Sequence, residues 1–149
     1  MGFFLKNIIK ATFKNIPEIV DLWYEVSIQA HSFISQEYWK ANIQLMKKKY
    51  VPMSETYLFV DKGIILGFIS LVDDYLAAIF VKSKNQGNGI GSSLIKYAKD
   101  HRTKLQLKVF CKNKKSIEFY QSKVFSIISQ SKDEETGENE FVMQWHKSL

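Results

Sequence analysis

Hydrophobic positions along this chain change period several times, and each change marks an element boundary. In "NIPEIVDLWYEVSIQA" the apolar residues Ile16, Ile19, Val20, Trp23 and Val26 fall on one helical face, and Pro17 sits where a first helical turn tolerates it. "SQEYWKANIQLMKKKY" predicts a second helix with Ser35 as its N-cap, and "FFLKNIIKAT" ahead of both predicts a first strand. Three β-rich segments follow, "TYLFVD", "GIILGFISLV" and "YLAAIFV". They are joined by "DKG", where Gly63 can take positive φ, and by Asp73–Asp74. "GSSLIKYAKDH" is helical in period, with Leu94, Ile95 and Ala98 on one face. "KLQLKVF" alternates as a strand does, "NKKSIEFYQSK" predicts a helix with Ile117 and Tyr120 a turn apart, and "FSIISQ" and "EFVMQW" close the chain as strands. The polar run Ser131–Glu140 predicts the loop of that last hairpin. The order β-α-α-β-β-β-α-β-α-β-β predicts an α/β fold in one domain, residues 1–149.

Composition agrees with a packed domain: of 149 residues 46% are hydrophobic and 24% charged, enough for one full core. The net charge of +6 favours anionic partners. Nearly all the cations are Lys, with Arg102 the only arginine, which argues against bidentate reading of DNA bases. The clusters Lys47–Lys49 and Lys112–Lys115 lack the interleaved aromatics of a single-strand binding surface, so no nucleic-acid partner is expected. One cysteine, Cys111, excludes disulfides and Cys-based zinc sites within one chain and reads as a small apolar residue rather than a nucleophile. His31, His101 and His146 have no ligand spacing, so no metal is expected. The longest apolar run, Ile64–Val72, is far too short to span a membrane. "MGFFLK" is too short for a signal peptide and has Lys6 where a myristoylation motif needs Ser or Thr. A cytoplasmic protein with no membrane partner is expected.

Chemistry enters at "NQGNGIGSSLI", Asn85–Ile95, between a strand and a helix. Glycines at such a junction let the backbone approach a ligand closely, and the unpaired amides at the helix N-terminus, together with the helix dipole, favour a phosphate there. A Walker loop would need Gly-Lys-Ser/Thr, but Gly91 is followed by Ser92 and Ser93. A dinucleotide fingerprint would need a third glycine where Ser92 stands.

Gln86-Gly87-Asn88-Gly89-Ile90-Gly91 resembles the Gln/Arg-x-x-Gly-x-Gly/Ala pyrophosphate loop of the GNAT N-acetyltransferase superfamily. A strand ending "AAIFV" precedes it, "VFCKNKKSIEFYQSKVF" downstream resembles the family's second motif, and the order of elements is similar over nearly the whole chain. "LWYEVSIQAHSFISQEYW" is similar to a bacterial branch of single-domain acetyltransferases, some of which act on protein lysines. The resemblance implies a central mixed, mostly antiparallel twisted sheet of about seven strands flanked by about four helices. It implies transfer of an acetyl group from acetyl-CoA to a primary amine, on a small molecule or a protein lysine, directly in a ternary complex and without a metal, by a monomer or homodimer. The amides of Gly87, Asn88, Gly89, Ile90, Gly91 and Ser92, with Gln86, would cradle the pyrophosphate. The backbone of Ile79, Phe80 and Val81 would pair with the pantetheine arm, Asn113 would hydrogen-bond it, and Tyr120 would protonate the departing thiolate.

On the acceptor side, His31, Phe33 and Tyr75 are candidate substrate contacts. "YLAAIFV" carries no acid, so a water-mediated proton path is expected in place of a single base. Two positions depart from the family's pattern: Val81-Lys82-Ser83 replaces Val-x-Pro, and Val124-Phe125 replaces Gly-Phe. Because a β-branched residue resists the left-handed region, the helix is expected to end without a left-handed cap at Val124. A CoA-binding module without turnover is the competing class, and retention of Tyr120 favours the enzyme.

Overall fold

The structure, a computed structural model, describes residues 7–148. Its strands are β1 (Ile8–Lys10), β2 (Glu55–Asp61), β3 (Ile64–Val72), β4 (Tyr75–Val81), β5 (Lys104–Phe110), β6 (Ser126–Lys132) and β7 (Asn139–His146). They form one seven-stranded sheet in the order β1-β2-β3-β4-β5-β7-β6. Every neighbouring pair is antiparallel except β4 and β5. The helices are α1 (Ile16–Ala30), α2 (Gln36–Ala41), α3 (Ile43–Leu45), α4 (Val51–Met53), α5 (Ile90–Asp100) and α6 (Lys114–Ser122), with α2 to α4 running as one irregular stretch. Among the described residues this is the mixed sheet with four helical segments that the sequence predicts.

Both faces of the sheet are covered. On one, α5 and α6 lay Leu94, Ile95, Ala98 and Ile117 against Leu105, Leu107 and Met143. On the other, α1 and the α2–α4 stretch bury Ile19, Val20, Trp23 and Trp39 against Leu58 and Phe68. The alternation in β5 follows: Leu105, Leu107 and Val109 are buried while Lys104, Gln106 and Lys108 are exposed. Burial at about 25 cal/mol per Å² of apolar surface makes these two layers the main source of stability.

Local signals held at most element ends. Pro17 lies in the first turn of α1, and Ser35 Oγ accepts from the Tyr38 amide at 3.3 Å. In the β2–β3 turn Lys62 (φ 52°) and Gly63 (φ 76°) both take positive φ, as a tight type I′ hairpin turn demands. The first strand shortens to β1, and the Phe3–Lys6 part of the predicted segment lies outside the described residues. The predicted second helix is interrupted after Ala41 and passes through a π-helical turn at Met46–Tyr50, where the Val51 amide reaches back to the Met46 carbonyl. Pro52 comes next; it has no N–H to donate and its ring crowds the carbonyl four residues back, so a wider turn relieves the conflict.

Val124 overturns one expectation: its φ is 69°. The Phe125 amide donates to the Tyr120 carbonyl and the Val124 amide to the Gln121 carbonyl, each at 3.0 Å. That is the Schellman pair of bonds, and the Tyr120 and Phe125 rings pack at 5.8 Å across it. Two carbonyls satisfied and a buried Phe125 outweigh the local preference of one β-branched residue.

Two irregularities in the centre of the sheet prepare the site. β4 carries a bulge: Leu76 pairs with Leu71 and Ala78 with Ser70, leaving Ala77 as the extra residue. On its other side β4 meets β5 at a single register pair, Tyr75 with Gln106, with the Gln106 amide on the Asp74 carbonyl at 2.9 Å. Beyond that rung the parallel strands diverge.

Candidate active site

The divergence opens a cleft of about 1380 Å³. One wall is the free backbone edge of β4 from Ala77 to Val81, and the other is the end of β5, with Lys108, Val109 and Phe110. A strand edge with unpaired N–H and C=O groups is a ready template for an extended ligand carrying amides. Ile79, Phe80 and Val81 all line this wall.

The glycine loop closes one end. Gly87 (φ 84°) and Gly89 (φ 88°) both occupy the left-handed region, and a Cβ at either would meet nothing within 4 Å. Backbone conformation, not crowding, requires glycine there. Gly89 is the N-cap of α5, and no side chain caps that end. The first amides of an eleven-residue helix are thus left for a ligand, with the helix dipole behind them. At Gly91 the constraint is contact: a Cβ there would come within 3.2 Å of the Phe119 ring, which would have to give by a few tenths of an ångström. Gln86 fastens the loop, donating to the Val81 carbonyl at 3.0 Å and accepting from Lys115 at 3.2 Å. Gln86, Gly87, Gly89, Gly91 and Ser92 line the cleft. Asn88 is exposed outside the cleft lining, and the Ile90 side chain is buried in the core, so Ile90 can offer only backbone. An open strand edge running into an uncapped, glycine-led helix start, with Lys115 beside it, suits an extended ligand ending in phosphates.

Asn113 and His31 are coupled. Asn113 caps α6, its Oδ1 accepting from the Ser116 amide at 3.2 Å. That fixes the side chain so that Nδ2 meets His31 Nε2 at 3.1 Å. An amide NH₂ only donates, so Nε2 must accept, and the imidazole is neutral with its proton on Nδ1. Nδ1 faces the Ser27 carbonyl without completing a well-formed hydrogen bond. Burial among Phe33, Trp39 and Phe110 pushes the His31 pKa down to about 4. His31 lines the cleft as a neutral ring, whereas Phe33 packs behind it.

Tyr120 projects from α6 into the cleft. Burial, with the Tyr75 phenol nearby, raises its pKa above that of free tyrosine, so it stays protonated and able to donate. Tyr75, at the one β4–β5 rung, is likewise raised by burial and by Glu140. Cys111 lies outside the cleft and its thiol is pushed up by burial, which suits an inert residue.

Glu140 escaped the sequence reading, which put it where the polar loop meets the last strand and gave it no role. The loop proper spans only residues 133–138, and Glu140 belongs to β7, opposite Phe110 at the open end of β5. Strand parity puts Phe141, Met143 and Trp145 on the α5–α6 face and Glu140 on the other, where it lines the cleft. The hairpin is tied over this region by Tyr38, whose hydroxyl donates to Glu135 at 2.8 Å.

Comparison with known proteins adds five findings. Residues 24–147 match the family described as acetyltransferase (GNAT) domain. The peptidyl-lysine N-acetyltransferase YiaC of Escherichia coli (strain K12) is 34% identical over 131 residues, covering 87% of this chain and 90% of that protein. The peptidyl-lysine N-acetyltransferase YjaB of Salmonella typhimurium is 23% identical over 132 residues, covering 88% and 90%. Among solved structures, apo-form YjaB from Escherichia coli matches with a TM-score of 0.83 at 21% identity, over 95% of this chain and 97% of the other. A PaiA N-acetyltransferase from Thermoplasma acidophilum in complex with coenzyme A matches with a TM-score of 0.76 at 17% identity, over 93% and 97%.

Proposed function

The chain belongs to the GNAT acetyltransferase family, and from that premise we propose that it acetylates lysine side chains of proteins, with acetyl-CoA as donor and by direct transfer while both substrates are bound. The relatives named peptidyl-lysine N-acetyltransferases support the acceptor class. The observation that carries the donor half is the open β4 edge leading to the uncapped start of α5. Acetyl-CoA would supply an activated acetyl group as a thioester.

The chain's own residues have distinct tasks in this reading. The amides from Gly87 to Ser92 hold the pyrophosphate, with Lys115 nearby as a counter-charge. The backbone of Ile79, Phe80 and Val81 continues the sheet onto the pantetheine arm, and an amide there stabilises negative charge developing on the acetyl oxygen. Asn113 retains one Nδ2 proton for the same arm after serving His31. Tyr120 donates its proton to the departing sulfur; burial keeps that proton in place at neutral pH. His31 and Tyr75 border the acceptor side.

The test is acetyl-CoA consumption across a panel of lysine peptides and small amines, run beside Tyr120→Phe. Lysine peptides should turn over with the wild type, and loss of the phenol should lower kcat by about 10²-fold or more with acetyl-CoA affinity unchanged. Binding of acetyl-CoA without turnover of any amine would replace the enzyme reading by that of a binding module. Full activity of Tyr120→Phe would remove the acid assignment alone.

A further inference from the structure

We propose that Glu140 is the base that takes the proton from the acceptor ammonium. A lysine amine arrives protonated at neutral pH, and only its neutral form has the lone pair that attacks a carbonyl. β4 offers no acid, so the base must come from another wall of the cleft.

Among the described residues lining the cleft, two are carboxylates, Asp133 and Glu140. Asp133 is occupied, accepting from Thr136 Oγ1 at 2.7 Å and closing the hairpin loop through its backbone. His31 is excluded because Asn113 holds its Nε2 as an acceptor and its Nδ1 is sealed from solvent. Glu140 has neither a hydrogen bond nor an ion pair on its carboxylate, is half-buried, and stands across from Phe110 where β5 leaves β4. The groups facing it are Asp133 from the hairpin, Lys108 from β5 and the Tyr75 phenol from β4. On the α1–α2 side stand the neutral His31 and the Tyr38 phenol, the latter bonded to Glu135. Burial and Asp133 raise the Glu140 pKa and Lys108 opposes them, so its proton affinity exceeds that of a free glutamate. Lys108 does a second thing: its charge disfavours the ammonium form of an amine in the same cleft.

The step balances as follows. Glu140 carboxylate accepts one proton from R–NH₃⁺, directly or through one water, leaving R–NH₂. The nitrogen lone pair forms the N–C bond to the acetyl carbon, the C–S bond breaks, and its electron pair leaves with sulfur. Tyr120 protonates the sulfur, and the second proton on nitrogen returns to the Tyr120 phenolate. Glu140 releases its proton to solvent. The sum is R–NH₃⁺ plus acetyl thioester giving R–NH–COCH₃, thiol and H⁺.

The inference rests on the lysine-acetylation reading, and its test separates the two. Glu140→Gln and Glu140→Asp are compared with wild type on one lysine peptide from pH 6 to 10, with acetyl-CoA affinity measured calorimetrically. Glu140→Gln should lose about 10²-fold in kcat at pH 7, keep its KM and acetyl-CoA affinity within about threefold, and regain rate as pH nears the amine pKa of about 10.4. Glu140→Asp should recover part of the loss. A deficit confined to KM, or equal at every pH, would mean that Glu140 only attracts the substrate and would overturn the proposal. As a readout apart from turnover, carbon NMR of labelled glutamate should show Glu140 titrating above the usual value of about 4.3; titration at or below it also overturns the proposal. Turnover by wild type with an unaffected Glu140→Gln sinks the base alone, whereas no turnover of any amine by wild type sinks both.

Discussion

Replacing Val124 by glycine should make this protein more stable. Val124 is held at φ 69° by the Schellman bonds that end α6, and its side chain is 71% exposed. Little burial is therefore lost on truncation. The left-handed region costs an L-residue roughly 1–2 kcal/mol, and a β-branched side chain sits at the upper end. Glycine removes that strain but gives back about 0.5–1 kcal/mol through the greater freedom of the unfolded chain. The net gain is about 1–1.5 kcal/mol, which for a chain of this size raises Tm by about 2–6 °C. Urea unfolding should show the same gain as a higher midpoint at constant slope. Val124→Ala, which keeps a Cβ at the same φ, should recover less than half of it. A midpoint that stays or falls in Val124→Gly, with the α6 amide bonds retained by NMR, would refute the strain argument.

Other predictions follow from the site. Gly89→Ala should cost about 1–2 kcal/mol by denaturation, because its φ of 88° is strained for any side chain although the Cβ has room. At Gly91 an added Cβ presses on the Phe119 ring 3.2 Å away, so Gly91→Ala and Phe119→Leu, which shortens that side chain, should couple favourably in a double-mutant cycle. His31 makes stability fall with acid. Above pH 6.5 it is neutral whether folded or not; between 6.5 and about 4 only the unfolded chain binds its proton, so stability drops by up to roughly 3 kcal/mol across that window. His31→Phe should flatten the profile of unfolding free energy against pH by about one proton in that range. Asn113→Ala should cost about 1 kcal/mol by removing the α6 cap, and proton NMR should find the His31 pKa higher once Nε2 is freed.

Much of the fold was legible because its signals are local. α1 shows its face at Ile19, Val20, Trp23 and Val26, and β5 shows its alternation from Leu105 to Val109; neither needs a distant partner to be recognised. The glycine loop was legible for the same reason, since the positive φ of Gly87 and Gly89 is a property of the residue itself. What stayed hidden depends on register and contact. The bulge at Ala77 is an offset between β3 and β4 that neither strand shows alone. Glu140 turns toward the cleft because β7 pairs with β5 in one register; a shift of one residue would point it at the opposite face. Asn113 could be read as a candidate ligand contact but not as the donor that fixes His31, 82 positions away. Val124 misled because an unfavourable single-residue preference lost to two hydrogen bonds and an aromatic contact.

The single β4–β5 rung has a mechanical consequence. The sheet is two stacks, β1 to β4 and β5 to β7-β6, stitched at Tyr75 and Gln106. A ligand lying along the free edge of β4 would act as the missing part of the seam, so the donor would be a structural strand as well as a reactant. Thermal denaturation should then depend on donor concentration. The β4 amides facing the seam should exchange hydrogen fast in the free protein and slowly once acetyl-CoA is bound. After transfer, letting go of the product means opening that seam again, which makes unzipping rather than bond-making the natural candidate for the slow step of a turnover.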